Sequence, residues 1–73
     1  MKLYNLVTAK TGYISPELWK EALTEAKRDI KANREAVKAK GKIWEFDTWS
    51  KTGQLEYIAN VMAVYCCMVI LRV

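Results

Sequence analysis

Residues 15–41 carry the strongest structural signal in this chain, because both ends of one long amphipathic helix are marked in the sequence. Ser15 can accept a hydrogen bond from a first-turn N–H, and Pro16 occupies the first helical position, where no N–H is needed. Gly41 can adopt the left-handed conformation that ends a helix. We therefore predict a single rod, roughly 36 Å long at the usual helical rise per residue.

This helix carries an apolar stripe whose members are alternately four and three residues apart. The stripe consists of Trp19, Leu23, Ala26, Ile30, Asn33 and Val37. Such a stripe is typical of a helix packed on a sheet or on another helix. The alternative is a dimerisation seam in which its polar member, Asn33, fixes the register. A homodimer is therefore one of the expected assemblies.

The segments on either side of the long helix have the composition of strands. Residues 2–10 are rich in β-branched and aromatic side chains and place Leu3 and Val7 on one face. Residues 42–49 show the same enrichment, with aromatic side chains at alternate positions. We predict one strand in each segment.

Residues 50–53 allow two interpretations. Ser50 and Gly53 suit the first and last positions of a hairpin turn, but the hairpin would have no consistently apolar side. In a helix, the apolar side chains that follow would share one face. These side chains are Leu55, Ile58, Ala59, Met62, Cys66 and Val69. We therefore predict a helix over residues 53–66. Residues 68–73 fit either a short closing strand or a continuation of this helix, because their periodicity does not separate the two.

Together these elements predict an α+β fold, with a single domain over residues 1–73 in the order strand, long helix, strand and second helix, and with a short closing strand as an optional last element. The alternative is a mainly α fold whose C-terminal helix crosses a membrane. Residues 55–73 approach the ~20 residues that a bilayer crossing needs, with Glu56 and Arg72 at the two interfaces. In that arrangement the N-terminus and the basic helix stay in the cytoplasm.

Few side chains in this sequence are suited to catalysis. The chain has no His, which removes His-based catalytic pairs and His-ligated metal sites. Glu45 and Asp47 share one side of a predicted strand, but neither a pocket nor a nucleophile accompanies them. Cys66 and Cys67 are adjacent, which disfavours a mutual disulfide and is typical of reduced thiols in the cytoplasm. We expect a non-enzymatic cytoplasmic protein that needs no cofactor or metal.

The long helix also carries a row of cations beside its apolar stripe, and the chain has a formal charge of +4. The row consists of Lys20, Lys27, Lys31, Arg34 and Lys38. Such a row can neutralise phosphates, but no aromatic side chains are interleaved with it for base stacking. A solvated helix face is therefore favoured over a nucleic-acid interface.

Hydrophobic residues make up 52% of the 73 residues, which is an apolar excess for a chain with so little interior. This excess indicates a binding partner, a second copy of the chain or a bilayer. Trp and Tyr dominate the energetics of protein interfaces, so Trp49 and Tyr13 are the expected anchors. The cations expected to assist them are Lys27, Lys31, Arg34 and Lys38. The predicted function is that of a small regulator or inhibitor that binds a larger protein machine. The alternatives are a single-span membrane subunit and a nucleic-acid binder.

Overall fold

The computed structural model describes residues 2–71, and these form three α-helices. Helix α1 spans Leu3–Thr11, α2 spans Pro16–Ala39 and α3 spans Lys51–Leu71. A short 3-10 helix, Glu45–Thr48, lies in the connection between α2 and α3. The described residues contain no strand, so the α+β prediction is wrong, whereas the mainly α architecture of the alternative agrees with the structure.

The ends of α2 follow the signals in the sequence. The hydroxyl of Ser15 accepts a hydrogen bond from the N–H of Leu18 (3.3 Å), and Pro16 is the first helical residue. Gly41 lies just past the end with a φ of 72°, and its N–H donates to the carbonyl of Lys38 (2.9 Å). The prediction of one long capped helix is confirmed.

Replacing Ser15 by alanine should lower the free energy of unfolding by about 1 kcal/mol, because a first-turn N–H of α2 then has no side-chain acceptor. The measurement is urea denaturation followed by circular dichroism. Ser15→Asp is the matched control, since its carboxylate can accept the same hydrogen bond and should keep most of the stability. Equal losses in the two variants would contradict this role of the hydroxyl.

The predicted N-terminal strand is wrong, because that segment forms α1. Leu3 and Val7 are four residues apart and therefore share a face in a helix as well as in a strand. Leu6, which a strand would turn to the opposite face, packs with both of them against one core. The hydroxyls of Thr8 and Thr11 donate to carbonyls four residues earlier, which is how these β-branched residues are accommodated in a helix.

The predicted second strand is also wrong. The N–H of Asp47 donates to the carbonyl of Trp44 (3.0 Å), and the N–H of Trp49 donates to that of Phe46 (3.2 Å). These bonds pair backbone groups within the segment, whereas a strand needs a neighbouring strand to pair with. Without such a neighbour among the described residues, the segment closes into the 3-10 turn.

Helix α3 begins earlier and ends later than the predicted helix over residues 53–66. The hydroxyl of Ser50 accepts a hydrogen bond from the N–H of Gly53 (3.2 Å), so these residues begin a helix and the hairpin-turn alternative is wrong. The closing strand is wrong for residues 68–71, which continue α3 as the alternative interpretation has it. Residues 72–73 of that predicted strand lie outside the described residues.

Helices α2 and α3 run antiparallel. Tyr57 contacts Asp29, and Tyr65 contacts Glu21, so eight residues forward along α3 correspond to eight backward along α2. Helix α1 packs mainly on α3, so α3 lies between the other two helices and keeps one side uncovered. The three helices and the loop before α2 share one cluster of buried side chains. Its members are Val7, Ile14, Ala22, Ala26, Ala59, Met62 and Cys66.

Candidate functional site

The uncovered side of α3 exposes apolar side chains in the C-terminal half of the helix. Val64 is 60% exposed and Met68 is 49% exposed, and Val61 is half-buried one turn earlier. These three residues are three and four positions apart, so they form a line along the helix that we call the apolar strip. Exposed apolar side chains that lie together on a surface commonly mark a binding site, so the strip is a candidate interface.

Carboxylates on α2 run beside the apolar strip. Glu21, Glu25 and Asp29 are four residues apart, and we call them the acidic row. Glu25 and Asp29 form one wall of a groove of about 370 Å³ whose other side is the apolar strip. Tyr65 and Val69 complete its lining. The groove thus combines an apolar floor with an acidic wall.

The members of the acidic row differ in how they are held. Glu21 accepts a hydrogen bond from the hydroxyl of Tyr65 (3.3 Å), which ties it to α3. Glu25 pairs with Arg28 one turn later on α2, at 2.8 Å between Nη1 and Oε1. This pair is solvent-exposed, and such pairs contribute little to stability. Glu25 is therefore the acidic residue that can be replaced with the least disturbance to the fold.

The third acidic residue, Asp29, is held by two side chains. The hydroxyl of Tyr57 and the amide of Asn33 both donate to its Oδ2, each at 3.1 Å. Asn33, the polar member of the predicted stripe, therefore makes its hydrogen bond within the chain. Burial of the Tyr57 ring, together with its hydrogen bond to Asp29, raises the pKa of the Tyr57 hydroxyl above 10.0.

Replacing Tyr57 by phenylalanine should cost about 1 kcal/mol at pH 8, because it removes the hydrogen bond to Asp29. The folded state raises the Tyr57 pKa, so its contribution is fully present below the unfolded pKa near 10 and is lost as pH rises through the folded pKa. The difference between wild type and variant, measured by urea denaturation at several pH values, should narrow above pH ~10. Tyr13→Phe is the control, since Tyr13 is 82% exposed and should change nothing. If the stability difference between wild type and Tyr57→Phe stayed constant as the pH is raised, the hydrogen bond from the Tyr57 hydroxyl to Asp29 would not be its cause.

The predicted anchor Trp49 lies at the edge of an aromatic cluster between α2 and α3. The rings of Trp44 and Phe46 are stacked with centroids 4.6 Å apart, and the edge of Tyr57 meets Phe46 at 5.2 Å. Trp49 packs on the same Tyr57 at 6.1 Å and is 44% exposed. About half of the Trp49 side chain is therefore buried by contacts within the connection between α2 and α3.

The predicted anchor Tyr13 lies at the other end of α2. It lines a shallow apolar depression with Tyr4 and Trp19, whose rings meet edge to face at 5.3 Å. Tyr13 precedes α2 and Trp49 follows it, and the 24 residues of α2 span about 36 Å. The two anchors therefore do not form one surface.

The predicted cations are exposed but lie away from the groove. Arg34 is nine residues from Glu25, about two and a half turns, and so faces the opposite side of α2. Its guanidinium donates twice to Asp47, from Nη2 at 2.7 Å and from Nε at 3.1 Å. This bonding holds the pKa of the Asp47 carboxyl below its usual value. The remaining predicted cations, all solvent-exposed, are Lys27, Lys31 and Lys38.

Side chains with catalytic or metal-binding chemistry are dispersed. Within residues 2–71 no three His, Cys, Asp or Glu side chains converge as a metal ion would require. Asp47 is bound to Arg34, and Glu45 faces solvent. Burial raises the pKa of the Cys66 thiol, which lowers its reactivity, while the neighbouring Cys67 is exposed.

The groove itself was not predicted from the sequence. Val61, Val64 and Met68 follow a helical spacing of their own, beside the face that packs in the core. That second line of apolar residues was the available signal. Its location next to the acidic row could not be foreseen, because it depends on the antiparallel register of α2 and α3.

Comparison with known proteins gives no functional assignment: no protein-family model, curated protein or solved structure matches this chain. By length and composition alone, the part of α3 from Lys51–Ile70 could cross a membrane, and 22% of its most apolar stretch is buried. Core helices of soluble proteins meet the same criteria. The function has to be argued from the residues of the groove.

Proposed function

We propose that this protein is a non-enzymatic regulator or inhibitor that binds another protein through the groove between α2 and α3. The observation that carries the proposal is the apolar strip, which is exposed on a helix whose core-facing side is buried against the other helices. Exposed apolar surface next to a polar rim is characteristic of protein interfaces. The strip is only two helical turns long, which fits a moderate-affinity regulatory contact better than an obligate one.

A membrane subunit is the second candidate, and the apolar composition of α3 favours it. Crossing a bilayer as a lone helix would require α3 to leave α1 and α2. Ala59, Met62 and Cys66 would then lose their packing in the core, and the hydrogen bonds of Tyr57 and Tyr65 to α2 would be broken. These losses favour the soluble protein-binding function.

Photo-crosslinking in cells that express the protein naturally tests this proposal. A photoreactive phenylalanine analogue replaces Val64 in one variant and the exposed Glu35 of α2 in a control variant. We expect a discrete protein adduct from position 64 and none from position 35. Recovery of the protein in the membrane fraction, with lipid adducts at position 64, would support the membrane candidate. The absence of any adduct specific to position 64 would contradict protein binding at the strip.

A further inference from the structure

We infer that the occupant of the groove is an amphipathic helix of a partner protein, with apolar residues flanked on one side by Lys or Arg. This inference rests on the proposed function and adds the chemistry of the partner. The apolar strip offers contacts at helical spacing over about 10 Å, which matches apolar residues at i, i+3 or i+4, and i+7 of a docked helix.

The charge of the occupant follows from the acidic row. At the levels of Tyr57, Val61 and Tyr65 along α3, the antiparallel register places Asp29, Glu25 and Glu21 on α2. A helix lying on the apolar strip would run alongside Glu25 and Glu21 between the levels of Val61 and Tyr65. Cations on that flank would be attracted, whereas carboxylates there would be repelled.

The same charge argues against two other occupants. In a symmetric homodimer whose α3 helices run antiparallel, a second copy docked through this groove would bring two acidic rows together. With parallel α3 helices, each acidic row would face the other flank of α3, where the exposed Glu56 and Asn60 supply no positive charge. An anionic lipid surface that approached the apolar strip would be repelled by Glu25 and Asp29 in the wall beside it. A protein helix with an apolar face and a cationic flank is complementary to both the apolar strip and the acidic row.

Two synthetic helical peptides provide the test, each about 20 residues long because shorter isolated helices are marginal in water. Both carry the same leucines at i, i+3 and i+7, and they differ only in having Lys or Glu on one flank. Binding of fluorescein-labelled peptide to the full chain is followed by anisotropy. We expect saturable binding of the Lys-flanked peptide, at least about tenfold tighter than that of the Glu-flanked peptide. The ratio should shrink as salt is added.

Two charge-reversal variants separate the groove from general electrostatics. Glu25→Lys should weaken binding of the Lys-flanked peptide at least about tenfold, because it reverses the charge of the groove wall. Glu35→Lys makes the same change in net charge at an exposed site on α2 outside the groove lining and should have little effect. Thermal unfolding of both variants establishes that each remains folded.

The inference is overturned if the Lys-flanked peptide does not bind saturably, if both peptides bind equally, or if Glu25→Lys and Glu35→Lys have the same effect. It is also overturned if the protein floats with phosphatidylcholine–phosphatidylglycerol vesicles in a manner that depends on Val64. A protein adduct at position 64 combined with any of these results would leave the proposed function standing with a different partner. The absence of that adduct would instead count against the proposed function itself.

Discussion

Replacing Met62 by alanine should lower the free energy of unfolding by about 2–5 kcal/mol. Met62 is fully buried in α3, among core side chains contributed by the other helices. Its removal both loses apolar burial and leaves a cavity that close-packed neighbours fill only in part. A domain of this size has a total stability of roughly 4–11 kcal/mol, so we expect a large share to be lost.

The chain offers a matched control for this substitution. Met68 lies on the same helix and is 49% exposed, so Met68→Ala should change the stability by no more than about 0.5 kcal/mol. Urea denaturation of the two variants under identical conditions gives both values. If Met62→Ala were no more destabilising than Met68→Ala, the packing of α3 described above would be wrong.

The second large effect concerns binding. Replacing both Val64 and Met68 by lysine should weaken binding of the protein captured at position 64 by about 100-fold or more. Each residue is an exposed member of the apolar strip, at the centre of the proposed contact. Central anchors of an interface cost about 2 kcal/mol or more each when they are lost, and each ~1.4 kcal/mol changes the affinity about tenfold. The fold should survive, because neither side chain is in the core.

A variant with lysines at Thr52 and Asn60 is the control for this experiment. Both residues are exposed on α3, and the substitutions add the same charge outside the apolar strip. Isothermal titration calorimetry of the wild type and both variants with the purified partner gives the affinities, and circular dichroism gives the melting temperatures. Equal affinities for the two lysine variants would show that the strip is not the interface.

The long helix could be predicted from the sequence because its ends are determined locally. Ser15, Pro16 and Gly41 each act through backbone geometry or a single hydrogen bond, and these are visible in the residue types alone. The core face of α3 could be predicted for a similar reason. Its apolar residues Ala59, Met62 and Cys66 follow a helical period and are all buried.

The two predicted strands failed because local composition was a weak guide there. The spacing of Leu3 and Val7 fits both a helix and a strand, and only packing against α3 distinguishes the two. The aromatic residues after α2 indicated a strand but instead gather around Tyr57, because the chain has to turn back toward α3. That choice depends on contacts between residues distant in the sequence.

The candidate site was even harder to predict from the sequence than the strands. Residue type alone predicts Tyr13 and Trp49 as anchors, and they lie at opposite ends of α2. The groove arises where the apolar strip on α3 lies beside the acidic row on α2, and neither of the two indicates a binding site by itself. Only the register set by Tyr57 with Asp29 and Tyr65 with Glu21 places them side by side.

Whether α3 folds against α2 in water, with its strip open to a partner, is tested most directly by nuclear magnetic resonance of the full chain without detergent. We predict nuclear Overhauser contacts between the Tyr65 ring and Glu21, and between the Tyr57 ring and Asn33. Val64 and Met68 should show contacts to water and few to other side chains. A protein that dissolves only with detergent, and whose α3 residues contact detergent chains in place of α2, would contradict this arrangement.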